Sequence, residues 1–249
     1  MNLTEAERAI YEWQMWIRGF GEEAQRRLKA ATVFISRCGG VGGMVAYELA
    51  AAGVGRLVIA HAGNLKPGDL NRQLLQTHGH IGRPRIESIV RRLRELNPYV
   101  EVVGHDENVT ESNAERLMAG ADVVVDAAPL FEERFVLNRW AVMHGRPMVE
   151  CAVHSMELRV TTIVPGRTPC LQCIVPEKPV HWKRQFPVLG AVAGVAGCLG
   201  AVEVVKLLTG LGEPLAGVLL VMHLDTMRVR QLRLVREPGC PVCGMLDAA

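Results

Sequence analysis

The chain has 249 residues, 49% of them hydrophobic and 22% charged, with a net charge of +2. That is enough apolar material for a large core, and the near-neutral balance gives no reason to expect a polyanion such as nucleic acid as partner. Seven cysteines are too few for a disulfide scaffold of this length, and their odd number fits a reducing compartment.

"MNLTEAERAIYEWQ" is charged and amphipathic and contains no apolar signal segment, so the expected location is cytoplasmic. The stretch from Thr4 to residue 31 reads as two helices broken near Gly19–Gly21. Thr4 and Glu7 are spaced as a capping box for the first. "TVFIS" (32–36) reads as a buried strand, and Gly39 to Gly43 as the turn into a helix, "MVAYELAAAG". "RLVIA" (56–60) is a second strand, followed by a polar loop. A helix lies between Pro84 and Pro98, a strand in "VEVVGHDEN", and a helix after a Ser112 or Asn113 cap. "ADVVVDAAP" (121–129) is a fourth strand, "FEERFVLNRWAVMHG" a helix, and "PMVECAVHSMELRVTTIVPG" two more strands. This alternation predicts a mostly parallel sheet covered on both faces.

The second half differs. "TPCLQC" (168–173) reads as a turn and "PEKPVHWKRQFP" (176–187) as an irregular crossing. "LGAVAGVAGCLGAVEVVKLLTG" is a long core helix in which Gly190, Gly194 and Gly197 allow close backbone contact. Its apolar run at 188–202 is too short to span a bilayer, so no membrane role is expected. "GVLLVMHLDTMRVRQLRLV" reads as a hairpin of two strands.

Cys170-x-x-Cys173 and Cys240-x-x-Cys243 are two knuckles of metal-ligand spacing. Together they predict a closed four-thiolate zinc site, structural because no position is left for water, stapling the C-terminal tail to the crossing segment. Cys198, in an apolar helix, and Cys151, after a strand, are expected to be buried. The glycine turn after the first strand suits phosphate binding, because amides at a helix start attract anions. A dinucleotide reader would carry an acid at the end of the second strand; the residue there is His61.

Ten segments, in one order along nearly the whole chain, resemble the ThiF/MoeB/HesA family, bacterial relatives of ubiquitin-activating enzymes. They include "RGFGEEAQRRL" (18–28), "GGVG" (39–42), "AAAGVGRL" (50–57), "LNRQ" (70–73), "GRPRIES" (82–88), "DVVVDA" (122–127), "PCLQC" (169–173), "GAVEVVKLLTG" (200–210) and "PGCPVCG" (238–244). The resemblance implies one ThiF-type α/β domain over 1–249, with a Rossmann-like, mostly parallel nucleotide-binding sheet, antiparallel C-terminal strands and helices on both faces. N-terminal helices would occupy 1–30, the nucleotide-binding half 31–150, and a zinc-containing, partner-binding half 151–249. It further implies a homodimer that binds ATP and magnesium and adenylates the C-terminal carboxylate of a small ubiquitin-like or sulfur-carrier protein.

Several positions depart from that pattern. Arg37 replaces the first glycine of the loop; His61 and Gly63 replace two aspartates; Arg85 replaces a phosphate-reaching lysine. Pro129 stands for the magnesium aspartate, with Asp126 retained nearby. "IYEWQ" (10–14) lacks both arginines of the N-terminal motif, and Asp69 replaces an asparagine. Arg72, Gln73, Gly39, Gly40 and Gly42 persist.

On the first reading the chain is an adenylyltransferase. The GGVG amides (39–43) cradle phosphate, Arg72 and Arg85 neutralise charge, Gln73 positions the nucleotide, Asp69 or Asp126 holds magnesium, and Arg37 replaces the lost arginine. The alternative is a degenerate relative that recognises a ubiquitin-like protein or peptide without ATP chemistry. Residues 174–187 contain no cysteine, so thiol transfer from the crossing is not expected. Its Lys178, Lys183 and Arg184 read as ordinary solvated charge.

Overall fold

A computed structural model describes residues 2–244. Helices α1 (Glu5–Met15) and α2 (Gly21–Ala30) come first. The expected capping box is present: Glu7 N–H donates to Thr4 Oγ1 (3.2 Å), and Thr4 N–H to the Glu7 carboxylate (2.8 Å). Then follow β1 (Thr32–Ser36), α3 (Gly40–Ala51), β2 (Arg56–Ala60), α4 (Arg85–Leu96), β3 (Glu101–His105), α5 (Ala114–Met118), β4 (Val123–Asp126), α6 (Phe131–Met143) and β5 (Met148–His154). The chain continues through β6 (Glu157–Ile163), α7 (Leu171–Ile174), α8 (Gly190–Thr209), β7 (Val218–His223) and β8 (Arg228–Arg233).

All eight strands join one sheet in the order β3-β2-β1-β4-β5-β6-β7-β8. The first five are parallel and the last three join antiparallel, as expected. β1 and β2 are apolar on both faces because helices cover both. Val33, Ile35, Leu57 and Ile59 point into a core shared with α3, α4 and α8. Phe34, Val58 and Val124, pointing the other way, pack with α6 residues such as Leu137. The sheet is wound in one direction from β1 to β3 and in the other from β4 onward. Between the carboxyl ends of β1 and β4 lies the crevice where open α/β sheets take their ligands.

Several local expectations change. α3 begins at Gly40, so Gly42 and Gly43 belong to the helix. Neither Ser112 nor Asn113 caps α5 with its side chain; Asn113 Oδ1 accepts instead from Thr110 N–H (2.7 Å). "TPCLQC" contains a helical turn, α7. Cys151 is buried, but Cys198 is only half-buried, because it lies toward the outer side of α8. At 20 residues α8 is, by length and composition, long and apolar enough to cross a membrane, contrary to the reading of its apolar run. Its packing holds it in the core: the buried Glu203 accepts from Leu215 N–H (2.7 Å) and from the Thr162 hydroxyl of β6.

The glycines of α8 are not equivalent. A Cβ on Gly197 would stand 2.5 Å from Met44 Cβ and 2.6 Å from the Val41 carbonyl oxygen, both on α3, whereas one on Gly194 would find nothing nearer than 3.9 Å. Gly197→Ala should therefore destabilise the protein by roughly 1–3 kcal/mol through overpacking. Gly194→Ala should be neutral or gain up to about 1 kcal/mol of helix propensity. Urea unfolding of the two variants checks this; equal effects would contradict the packing account.

Candidate functional site

The crevice holds a cavity of about 680 Å³, walled by the turn after β1, residues 127–129 after β4, β5, α7 and the crossing segment. Arg37 sets the geometry of its floor. Its φ of 61° is left-handed, where glycine is the easy occupant and another residue costs about 1–2 kcal/mol. The conformation is held from across the sheet by Glu133, the third residue of α6 and nearly inaccessible to solvent. One oxygen of Glu133 accepts from Arg37 Nε (2.6 Å), the other from Ser36 Oγ (2.7 Å) and from Val109 N–H (3.3 Å). The Arg37 charge is thus already partnered, and the structure does not free it to stand in for the lost N-terminal arginine.

Gly42 is required by the same turn, since a Cβ there would meet the Arg37 carbonyl oxygen at 2.8 Å. Of the amides expected to cradle an anion, two are used internally: Gly39 N–H donates to Arg37 O and Gly43 N–H to Gly39 O (3.0 Å). Those of Gly40, Val41 and Gly42, the first turn of α3, have no protein partner among the described residues. They form a helix N-terminus open to an anion.

The remaining candidates divide. Arg72 and Gln73 line the cavity with Arg37, Gly39 and Gly40; Gly42, Arg85, Asp69 and Asp126 do not. Asp69 is clamped behind the wall, accepting from Arg85 Nη2 (2.6 Å), Arg72 Nη2 (3.2 Å) and Lys66 N–H (3.0 Å). These partners outweigh its burial and hold its carboxyl below the usual carboxylate range. Asp126 is fully buried, with Oδ1 accepting from Ala128 N–H (3.0 Å) and Oδ2 3.9 Å from Arg134. Burial dominates there, and the group is pushed up to about 7 despite Arg134.

Magnesium does not fit the donors present. The carboxylates lining the cavity are Glu150 and Glu157, the first paired with Arg134 and the second with Arg159 (2.6 Å). No unpaired carboxylate faces the cavity among the described residues. A nucleotide fits better. His61 and Gln73, 3% and 6% exposed, line the cavity, and His61 Nδ1 and Gln73 Oε1 have no hydrogen-bond partner. Buried polar atoms without partners are costly, and a hydrogen-bonding group of a ligand in the cavity would satisfy both. Burial, reinforced by Arg37 and Arg85, lowers His61 to about 3, so the ring is neutral where an anionic acid was expected.

Glu133, Arg134, Trp182 and Arg184 were not foreseen as site residues. Glu133 and Arg134 had a signal: they precede the fully buried Leu137 and Asn138 by one helical turn, which puts two charges on the core face of α6.

The four knuckle cysteines converge as expected. Their sulfurs all lie within 4.8 Å of one another, with Cys170 to Cys240 at 3.6 Å and Cys173 to Cys243 at 3.4 Å. Such spacing suits a tetrahedral ion with metal–sulfur bonds of about 2.3 Å. Asn138 fixes the first knuckle to α6 by accepting from Leu171 N–H (2.9 Å). Burial raises Cys240, but amides of its own turn outweigh that and bring it to about 7. Burial raises Cys170 and Cys173, and a bound divalent cation would draw these down too.

The ThiF family model matches residues 11–242. The chain belongs to the ThiF family. It is 46% identical to the vegetative HesA protein of Trichormus variabilis over 98% of this chain and 92% of that one. To the sulfur carrier protein adenylyltransferase of Thermus thermophilus it is 36% identical, covering 98% and 93%. Among solved structures it resembles E. coli MccB with ATP, with a TM-score of 0.80 and 26% identity over 89% of this chain and 68% of that one.

Metal analysis should find about one zinc per chain, and Cys240→Ser should lower both metal content and melting temperature. Protein that melts identically after chelation, with four titratable thiols at these positions, would contradict the assignment.

Proposed function

We propose that this chain binds ATP in the crevice between β1 and β4 and adenylates a carboxylate, that of a small ubiquitin-like or sulfur-carrier protein or a related peptide. The observation that carries the reading is the open first turn of α3 beside two buried polar atoms without partners, His61 Nδ1 and Gln73 Oε1. The relatives' descriptions, one a sulfur carrier protein adenylyltransferase and another MccB with ATP, support the same chemistry. In that reaction the substrate carboxylate attacks the α-phosphorus and pyrophosphate leaves. The α3 amides and Arg72 stabilise charge on the phosphates, Gln73 positions the nucleotide, and Arg85 acts through Asp69 by holding Arg72 in place.

A second reading, a degenerate relative that binds its partner without ATP chemistry, is favoured by Pro129 and by the paired carboxylates of the cavity. We also infer a homodimer, because Val195 and Val202 on α8, Ile10 and Trp13 on α1 and Trp16 just after it present exposed apolar surface. Sedimentation showing only monomer at micromolar concentration would contradict that inference. ATP–pyrophosphate exchange, measured with candidate carrier proteins present, separates the two functional readings. Exchange that falls about 100-fold in Arg72→Ala is the expected result. Absence of exchange with every carrier, together with partner binding that does not need ATP, would establish the second reading instead.

A further inference from the structure

We infer that Arg184, on the crossing segment, binds the polyphosphate of the ligand in this cavity; the inference rests on the nucleotide reading above. Five arginines line the cavity. Four are held by the chain's own carboxylates: Arg37 by Glu133, Arg72 by Asp69, Arg134 by Glu150 and Arg159 by Glu157. Arg184 makes no ion pair among the described residues. Its surroundings repel it. Its residue surface is exposed overall, yet partial loss of hydration, then Arg37, Arg72 and Arg85, disfavours its charge, and Asp69 opposes them. A multivalent anion bound between Arg184 and the open turn of α3 would relieve that repulsion.

The chain fixes where Arg184 sits. Two residues before it, Trp182 donates its indole N–H to the Pro129 carbonyl (2.7 Å) and meets the Phe131 ring edge-on at 5.3 Å. Two residues after it, Phe186 stacks on His154 at 6.1 Å, and the next residue, Pro187, accepts from Ser155 N–H (2.6 Å). Arg184 therefore lies on a segment anchored on either side of it by Trp182 and Phe186, whose rings also meet each other at 5.4 Å, and it lines the cavity. Pro129, at the position where the family pattern has a carboxylate, offers a carbonyl that anchors the segment bringing in this cation. Lys178, earlier on the same segment, is paired with Glu132 and does not line the cavity.

The test is calorimetric titration of ATP, inorganic tripolyphosphate and adenosine, with and without chelator, into the full chain and its Arg184→Ala, Arg184→Lys and Lys178→Ala variants. Arg184→Ala should weaken ATP and tripolyphosphate about 10- to 100-fold, as for loss of a charged hydrogen bond. Adenosine affinity and melting temperature should not change, Arg184→Lys should recover part of the loss, and Lys178→Ala should match the unaltered protein. Unchanged tripolyphosphate and ATP binding in Arg184→Ala overturns the inference and leaves the nucleotide reading standing. Equal losses for adenosine and ATP also overturn it, since they mark a distorted pocket. An unaltered protein that binds none of the three probes overturns both.

Discussion

The buried carboxylate of Glu133 is the constraint on which the crevice depends. It ties the end of β1 through Ser36, the loop after β3 through Val109, and the left-handed Arg37 through a charged hydrogen bond. Removing one member of a buried pair commonly costs about 3–5 kcal/mol, more than the conformational cost of Arg37's φ. Arginine at a glycine position is therefore stable here because its partner lies on another helix. With the turn so held, α3 starts at Gly40, and Gly40 and Val41 of its first turn line the cavity.

Charge is distributed differently from the family pattern. The acids at the cavity are paired with its arginines, and Arg184 lines it without an ion pair among the described residues. Under the proposed function, such a site would neutralise phosphate with guanidinium groups and helix amides. Ribose recognition would fall to a neutral imidazole, which accepts or donates one hydrogen bond where a carboxylate accepts several. The four-thiolate cluster is coupled to the same cavity through α7. Cys170 and Cys173 belong to its turn, and Leu171, Ile174 and Val175 line the cavity wall. Metal at the cluster would hold that wall as well as the C-terminal tail.

Much of the fold was legible because its determinants are local. Alternating and continuous apolar runs marked all eight strands, Thr4 and Glu7 marked the first helix start, and the cysteine spacing marked the knuckles. The site was legible only in part, because its decisive contacts join distant segments. Arg37 and Glu133 are 96 residues apart, so spacing showed the unusual arginine but not its partner. Asp126 looked available as a metal ligand because it ends a strand near the crevice; in the fold it turns into the buried Arg134 network. Asp69 lies one turn from Arg72, yet the 2.6 Å pair that occupies it is with Arg85, 16 positions along the chain. Arg184 is exposed, as its reading as solvated charge expected, but an irregular segment carries no periodicity to indicate that it also lines the cavity.

The most direct test of this account is a crystal structure of the protein with a non-hydrolysable ATP analogue. The account predicts the triphosphate over the amides of Gly40, Val41 and Gly42, with Arg184 against it and Arg37 still bound to Glu133. A triphosphate gripped by an Arg37 that has left Glu133, or an analogue bound away from the α3 N-terminus, would contradict it.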